Sequence, residues 1–210
     1  MGERDNLLNL FPVTRKYNQK DDLMSTALVL IDIHNDYFPG GRKELVNSET
    51  AESSAVLLLK AFRHAGWPVF HVQHISIQPG AGFFLPNTSG VEIHNSVAPL
   101  SDEPIITKHF PNSFRETELL DKLRNSGVDS ILFCGMMTSM CVDATVRAAF
   151  DLGFACTVAQ DACATLDLAF DGETIPACHV HGSFLAALGA VYAKIRTTDA
   201  ILDGIISGRG

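Results

Sequence analysis

The sequence of 210 residues has no apolar run that approaches the roughly 20 residues needed to cross a bilayer as a helix. Residues 1–22 show no apolar segment followed by a small-residue cleavage site, so no secretory signal is predicted. The Ser or Thr expected at the sixth position of a myristoylation motif is missing as well. Internal repeats and low-complexity tracts are also absent. These absences argue against a membrane partner and favour a cytoplasmic location.

Positive charge and cysteine are both scarce. The 16 Lys and Arg residues are outnumbered by 24 Asp and Glu residues, which gives a formal net charge of −8. This balance argues against nucleic acid or an anionic membrane surface as a partner. The five cysteines are scattered, and four of them lie in apolar contexts: Cys134, Cys156, Cys163 and Cys178. We therefore expect buried, reduced thiols and not a disulfide framework.

The apolar fraction of 46% is typical of a globular chain, and the length suits one α/β domain with a full core. We interpret residues 1–25, which are polar and mixed, as an N-terminal arm and residues 26–210 as a single domain. Apolar, β-branched runs predict strands over 26–33, 67–75, 103–108, 128–135, 154–162 and 190–197. Helical patterns cover 48–65, 115–126, 139–152 and 178–189. This alternation predicts a three-layer αβα fold with a mostly parallel sheet.

Residues 76–103 form a long loop with Gly, Pro and little periodicity. A loop of this length in a compact domain is usually functional or mobile. Its Phe83 and Phe84 could cover an apolar part of a substrate, or they could pack the loop onto the core or a subunit interface. Two serines, Ser48 and Ser139, are expected to cap the helices that follow them.

Three predicted strands end in a reactive side chain. Asp32 closes the first strand in LIDIHNDYF, Lys108 closes the third in IITKHFPNSF, and Cys141 follows the fourth in GMMTSMCVDATVRAAF. Taken singly, Asp32 could cap a turn, Lys108 could be a surface lysine and Cys141 could be a core thiol. Ligands of open parallel sheets bind beyond the carboxyl ends of the strands. We therefore expect the three side chains to meet at one edge of the sheet.

Such a trio suits nucleophilic catalysis by a thiol. A nearby ammonium and a helix N-terminus lower the pKa of a thiol, and Lys108 could supply the ammonium. Asp32 could accept the thiol proton and give it to a leaving amine. Backbone N–H groups at the start of the 139–152 helix could bind an oxyanion. Structural roles are expected for Asp143, which should point away from the thiol, and for Asp161, which should tie the sheet edge.

The stretches LIDIHNDY, ITKHFPNSF, CGMMTSMCVDATVRAAFDLGF and VAQDACAT resemble the isochorismatase-like cysteine hydrolases. The resemblance implies a Rossmann-like sheet of about six strands, a catalytic Asp–Lys–Cys triad, and assembly into dimers or tetramers. It also implies a cis peptide bond just before the nucleophile turn, which directs two N–H groups toward an oxyanion. The matching residues are Asp32, Lys108 and Cys141 for the triad, Met136–Met137 for the cis bond, and Met137 and Cys141 for the N–H groups.

Members of this family differ in the bond that they cleave. Isochorismatase cleaves a vinyl ether and typically lacks the nucleophilic cysteine, so Cys141 favours cleavage of a C–N bond. Nicotinamidases carry an Asp-x-His pair and a further His that bind a divalent metal. Here His71 and His74 are available, but Val72 occupies the position two before His74. Neither a metal nor another cofactor is therefore predicted.

We predict a cysteine-dependent hydrolase of a small amide or lactam that acts through a thioester. The residues expected to line its substrate pocket are His34, Tyr37, Phe38, His74, Phe83, Phe84, His109 and Met136. Three alternatives remain open: a metal-assisted nicotinamidase, a thiol redox protein and a non-catalytic binding module. The redox protein would need a resolving cysteine near Cys141, and Cys134 has no CxxC spacing to it. A binding module would not need the complete trio.

Overall fold

The computed structural model describes residues 26–207, so the predicted arm over residues 1–25 lies outside the described residues. The strands are β1 (Thr26–Ile31), β2 (Val69–His74), β3 (Ile105–Lys108), β4 (Ser130–Met136), β5 (Ala155–Ala164), β6 (Leu168–Phe170), β7 (Glu173–Ile175) and β8 (Lys194–Arg196). The α-helices are α1 (Ser48–Ala65), α2 (Leu119–Asn125), α3 (Asp143–Asp151), α4 (Ala177–Val191) and α5 (Thr198–Ser207).

Six strands form one parallel sheet in the order β3-β2-β1-β4-β5-β8. β1 lies near the centre and pairs with β2 on one side and β4 on the other. This arrangement confirms the predicted Rossmann-like fold and its strand number. The strand order reverses between β1 and β4. An open parallel sheet has its ligand crevice at such a reversal, beyond the carboxyl ends of the strands.

Helices cover both faces of the sheet. On one face, Leu28 of β1 belongs to the same apolar cluster as Leu58 of α1 and Ile201 of α5. On the other face, Val29 belongs to a cluster with Val146 of α3. All six residues of β1 are buried. Burial on both faces is the reason that this strand is apolar at nearly every position.

Several boundaries differ from the prediction. α1 has the predicted bounds, but the residue that precedes it is Asn47, in the left-handed conformation, so Ser48 is not its cap. Gly66 ends α1 with a φ of 68°, a conformation that favours glycine. The β6–β7 hairpin and α5 were not predicted. The hairpin strands have three residues each and are largely exposed, so they lack the apolar alternation of a buried strand.

The cysteines are all free, and Cys134, Cys141, Cys156 and Cys163 are buried. Cys178 is exposed at the start of α4, so the expectation that it is buried was wrong. α4 is apolar around much of its circumference, and its sequence therefore does not indicate which side faces outward. Within residues 26–207 no helix is long and apolar enough to cross a bilayer.

Candidate active site

Asp32, Lys108 and Cys141 meet at the carboxyl edge of the sheet. Asp32 directly follows β1, Lys108 ends β3, and Cys141 lies in a π-helical turn, Thr138–Val142, between β4 and α3. The Lys108 Nζ atom lies 2.9 Å from Asp32 Oδ2, and both side chains are 0% exposed. Cys141 is 4% exposed, and its sulfur lies within 4.8 Å of an Asp32 carboxylate oxygen. The three groups therefore form one buried cluster.

Two residues that the sequence analysis missed fix the position of Lys108. Its ammonium donates to the Pro111 carbonyl at 2.9 Å and to Ser113 Oγ at 3.3 Å. The Ser113 hydroxyl lies 2.8 Å from Thr145 Oγ1 on α3, and the Ser113 N–H donates to the same oxygen at 3.0 Å. The segment PNSF, which follows Lys108, could have indicated this contact, because it places the Ser113 hydroxyl close in sequence to the lysine.

Burial is the largest influence on the pKa of each group in the trio. It raises the pKa of Asp32, but the Lys108 ammonium, with His34 and His74, outweighs it and lowers that pKa to about 2. Burial lowers the pKa of Lys108, but the nearby Asp32 and Cys141 outweigh it, so the pKa is raised. The pKa of Cys141 is raised, because burial and Asp32 outweigh the opposing effect of Lys108.

The resting site therefore holds a carboxylate, an ammonium and a neutral thiol. This corrects the expectation that Lys108 would lower the pKa of Cys141 below its usual value. Lys108 acts in the expected direction, but desolvation of the sulfur and the adjacent carboxylate are stronger. A neutral thiol beside a carboxylate can give up its proton as the sulfur attacks, with Asp32 as the acceptor.

The nucleophile turn begins at a cis peptide bond between Met136 and Met137, as the resemblance implied. Gly135 precedes it with a φ of 125°, and a Cβ there would collide with the backbone of Ile31 on β1. The turn thus starts where β4 and β1 come unusually close. Met136 is fully buried beneath it.

Side chains around the turn serve structural contacts. The Ser139 hydroxyl lies 2.9 Å from Thr165 Oγ1 and makes no cap contact, so the expected N-cap was wrong. The Asp143 carboxylate accepts the Arg147 Nε–H, which lies 3.0 Å from each of its oxygens, so Asp143 makes the structural hydrogen bond expected of it. Asp161 ties β5 to the start of α5, where it accepts hydrogen bonds from the N–H and hydroxyl of Thr198.

The histidines predicted for the pocket lie beside the trio. His34 is fully buried, with Nε2 3.8 Å from Asp32 Oδ1. That same nitrogen accepts the His74 N–H at 3.1 Å, so in a neutral ring the proton sits on Nδ1. Burial lowers the pKa of His74 to about 4, which leaves its imidazole neutral near pH 7. His109 Nδ1 donates to the Ile75 carbonyl at 2.8 Å, at the end of β2.

An aromatic wall (Tyr37, Phe83 and Phe84) closes the site on the side of the long loop. Phe84 is 1% exposed, and its ring centroid lies 4.6 Å from that of His34 and 4.7 Å from that of Tyr37. Tyr37 lies close enough to Cys141 and Asp32 for burial and both groups to raise its pKa. Phe38 instead stacks on His94, at 4.0 Å. The wall therefore packs the loop onto the core and borders the site at the same time.

The donor set does not match a nicotinamidase-type metal site. His71 Nε2 donates to the Glu103 carboxylate at 2.9 Å, and Arg63 binds the same carboxylate. The His71 ring is therefore engaged there and does not form a metal site together with His74. Within residues 26–207 one group of three possible ligands is close together, Asp32, His74 and Cys141. The Lys108 ammonium already neutralises that carboxylate at 2.9 Å, which disfavours a second cation.

Comparisons with known proteins agree on one family. A family model described as the isochorismatase domain matches residues 26–175. YddQ, an isochorismatase family protein of Bacillus subtilis (strain 168), is 54% identical over 179 residues, 85% of this chain and 99% of its own. A streptothricin hydrolase of Streptomyces noursei is 34% identical over 154 residues, 72% of this chain and 55% of its own.

The fold comparison is consistent with the sequence comparison. A crystal structure assigned to the isochorismatase hydrolases, from Oleispira antarctica, matches with a TM-score of 0.83 and 45% identity. The match covers 86% of this chain and 97% of the other chain. The likeness therefore extends over most of the chain.

Proposed function

The chain belongs to the isochorismatase family of hydrolases, and we propose that it hydrolyses a C–N bond in a small amide or lactam through a thioester on Cys141. One observation carries this proposal. The Cys141 thiol shares a buried site with an Asp32 carboxylate that an ammonium 2.9 Å away keeps ionised. A core thiol needs neither a base nor a cation beside it, whereas a nucleophile that must lose a proton needs both.

The first half of the reaction transfers the acyl group to sulfur. As Sγ of Cys141 attacks the carbonyl carbon, the thiol proton moves to Asp32. The oxygen of the tetrahedral intermediate is stabilised by the N–H groups of Met137 and Cys141 in the nucleophile turn. Asp32 then protonates the nitrogen, the C–N bond breaks, and the amine or ammonia leaves.

The second half returns the enzyme to its resting state. A water molecule gives a proton to Asp32 and attacks the thioester carbon. The C–S bond breaks, the carboxylic acid leaves, and Cys141 regains its proton from Asp32. Lys108 stays in position throughout, since its bonds to Pro111 and Ser113 hold its ammonium in place independently of Asp32.

Two observations favour a C–N bond over a vinyl ether. The chain has a thiol at the nucleophile position, which the typical isochorismatase does without. The similarity to a streptothricin hydrolase supports an amide or lactam as the substrate class. The redox alternative loses its candidate partner, because Cys134 packs in the apolar cluster on the opposite sheet face from Cys141.

The proposal is tested by ammonia release from primary amides and ureido acids, with lactam opening followed by mass. Wild type, Cys141→Ala and Cys178→Ser are compared, the last as a control because Cys178 is exposed on α4. We expect turnover that Cys141→Ala abolishes and Cys178→Ser leaves unchanged. Turnover that persists in Cys141→Ala would contradict the thioester route.

A further inference from the structure

Asp36 is a buried carboxylate that the proposed chemistry does not use. It lies in a 3₁₀ turn, Asn35–Tyr37, shortly after Asp32, and is 2% exposed. Its Oδ2 accepts the Phe84 N–H at 2.6 Å, and its Oδ1 accepts the Arg42 N–H at 3.2 Å. Buried carboxylates are costly unless they are hydrogen-bonded, so this contact indicates a specific role.

The long loop is shaped around this carboxylate. A Cβ at Gly90 would overlap the carboxylate of Asp36, and a Cβ at Gly41 would overlap its backbone carbonyl. Further contacts hold the same two segments together. Asn35 Nδ2 donates to the Ser89 carbonyl at 2.8 Å, and the Asn35 N–H donates to the Glu92 carbonyl at 3.1 Å. The loop therefore approaches the turn after β1 as closely as backbone allows.

The residue held by Asp36 is the central member of the aromatic wall. Phe84 has a φ of 56°, a conformation that a bulky side chain adopts only when its surroundings impose it. Its N–H is bound by Asp36, and its carbonyl accepts the Ser76 N–H at 2.9 Å. Both backbone groups are thus fixed, and the ring is directed toward the site.

The Phe84 ring contacts three side chains that lie beside the trio. It packs edge-on against His34 and Tyr37, and its centroid lies 5.7 Å from that of His74. His74 offers a ring nitrogen within 4.8 Å of the Cys141 sulfur. Removing the ring would leave a void directly behind these three side chains.

We propose that Phe84 limits the size of the group that can reach Cys141, and that Asp36 is the positioning residue that holds Phe84 in place. The size limit concerns access to the sulfur and is independent of the reaction. Its consequence for substrates, a preference for small acyl groups, rests on the proposed amide hydrolysis.

Asp36→Asn tests the positioning role with little change in shape. Both carboxylate oxygens accept a backbone N–H, whereas an amide keeps one acceptor oxygen and turns an NH₂ group toward the other N–H, so at least one of the two bonds is lost. Phe84→Leu keeps an apolar residue and removes the ring, and Phe84→Ala opens the largest void. If Phe84→Ala fails to fold, the other two variants still decide the question.

The closing experiment measures alkylation of Cys141 and does not require a substrate. All variants carry Cys178→Ser, since Cys178 is the exposed cysteine within residues 26–207. Iodoacetamide and a bulky N-aryl maleimide are compared at alkaline pH, with the site of labelling identified by peptide mass. Phe170→Ala serves as the control, because that side chain is 75% exposed on the hairpin.

We expect the ratio of the maleimide labelling rate to the iodoacetamide labelling rate to rise by about tenfold or more in the Phe84 variants and in Asp36→Asn. This is the scale on which the size of a pocket discriminates between ligands. Phe170→Ala should leave the ratio unchanged. An unchanged ratio in folded Phe84→Leu and Asp36→Asn would overturn the proposal. A raised ratio with no amide turnover in wild type would support the size limit while removing the proposed function.

Discussion

Replacing Lys108 by methionine should move the acid limb of the pH profile of kcat/KM to higher pH. The ammonium lies 2.9 Å from Asp32 in a site where both side chains are fully buried. Coulomb's law at this distance, with an effective dielectric constant of about 20, gives an interaction of about 6 kcal/mol. This corresponds to about four pKa units on the carboxyl group.

In the wild type, the pKa of Asp32 is lowered to about 2, so the carboxylate stays ionised at every pH above about 4. We therefore expect kcat/KM to show no acid limb from Asp32 between pH 4 and 7. In Lys108→Met, burial raises the pKa of Asp32 without opposition from the ammonium. The acid limb should then move up by about four pH units.

The assay is kcat/KM on the amide identified from the panel, measured across pH for wild type, Lys108→Met and Lys122→Met. Lys122 is a surface residue paired with Glu118, so its loss should not change the profile. Breaking a buried ion pair costs about 3–5 kcal/mol of stability, and circular dichroism at each pH establishes that the variant is folded. A folded Lys108→Met with the wild-type acid limb would refute the assignment of Lys108 as the group that ionises Asp32.

Further expectations concern reactivity and stability. At pH 7 a maleimide should label the exposed Cys178 faster than the buried Cys141. Because the pKa of Cys141 is raised, its labelling should become fast only at higher pH. Faster labelling of Cys141 at pH 7 would instead show a resting thiolate. The pKa of Asp32 is lower in the folded state than in the unfolded chain, so its ionised form stabilises the fold above about pH 4. This contribution should be lost as pH falls toward about 2, and the free energy of unfolding measured at a series of acid pH values should show the loss. Asp161→Ala removes the two hydrogen bonds that β5 makes to Thr198 at the start of α5, so it should lower the free energy of unfolding by about 1 kcal/mol. The value of kcat should not change, and a change in kcat would place Asp161 in the site. Gly135→Ala should lower the melting temperature and the activity, since the added Cβ would overlap the backbone of β1. A variant that melts at the same temperature as the wild type would show that the nucleophile turn can move to make room.

The positions of the sheet strands and the meeting of the trio could be predicted because they follow from local patterns. Continuous apolar runs identify strands that are buried on both faces, and parallel strands bring their carboxyl ends to one edge. Asp32, Lys108 and Cys141 each sit at such an end. Their convergence needs no knowledge of any side-chain contact.

The residues that position the trio could not be predicted, because their roles depend on contacts between segments that are distant in sequence. Ser113 and Thr145 are 32 residues apart and meet only when α3 packs beside the segment after β3. The direction of the Cys141 pKa shift depends on how completely the site is buried, and the sequence does not give that burial. The roles of Asp36 and Phe84 depend on a loop contact across 48 residues.

The proposed reaction requires Cys141 to carry the acyl group of the substrate during turnover. Rapid acid quenching during hydrolysis of the amide, followed by intact and peptide mass measurement, tests it directly. We expect an added mass equal to the acyl part of the substrate, located on the peptide that contains Cys141 and absent from Cys141→Ala. Steady turnover with no such adduct, together with full activity in Cys141→Ala, would contradict it.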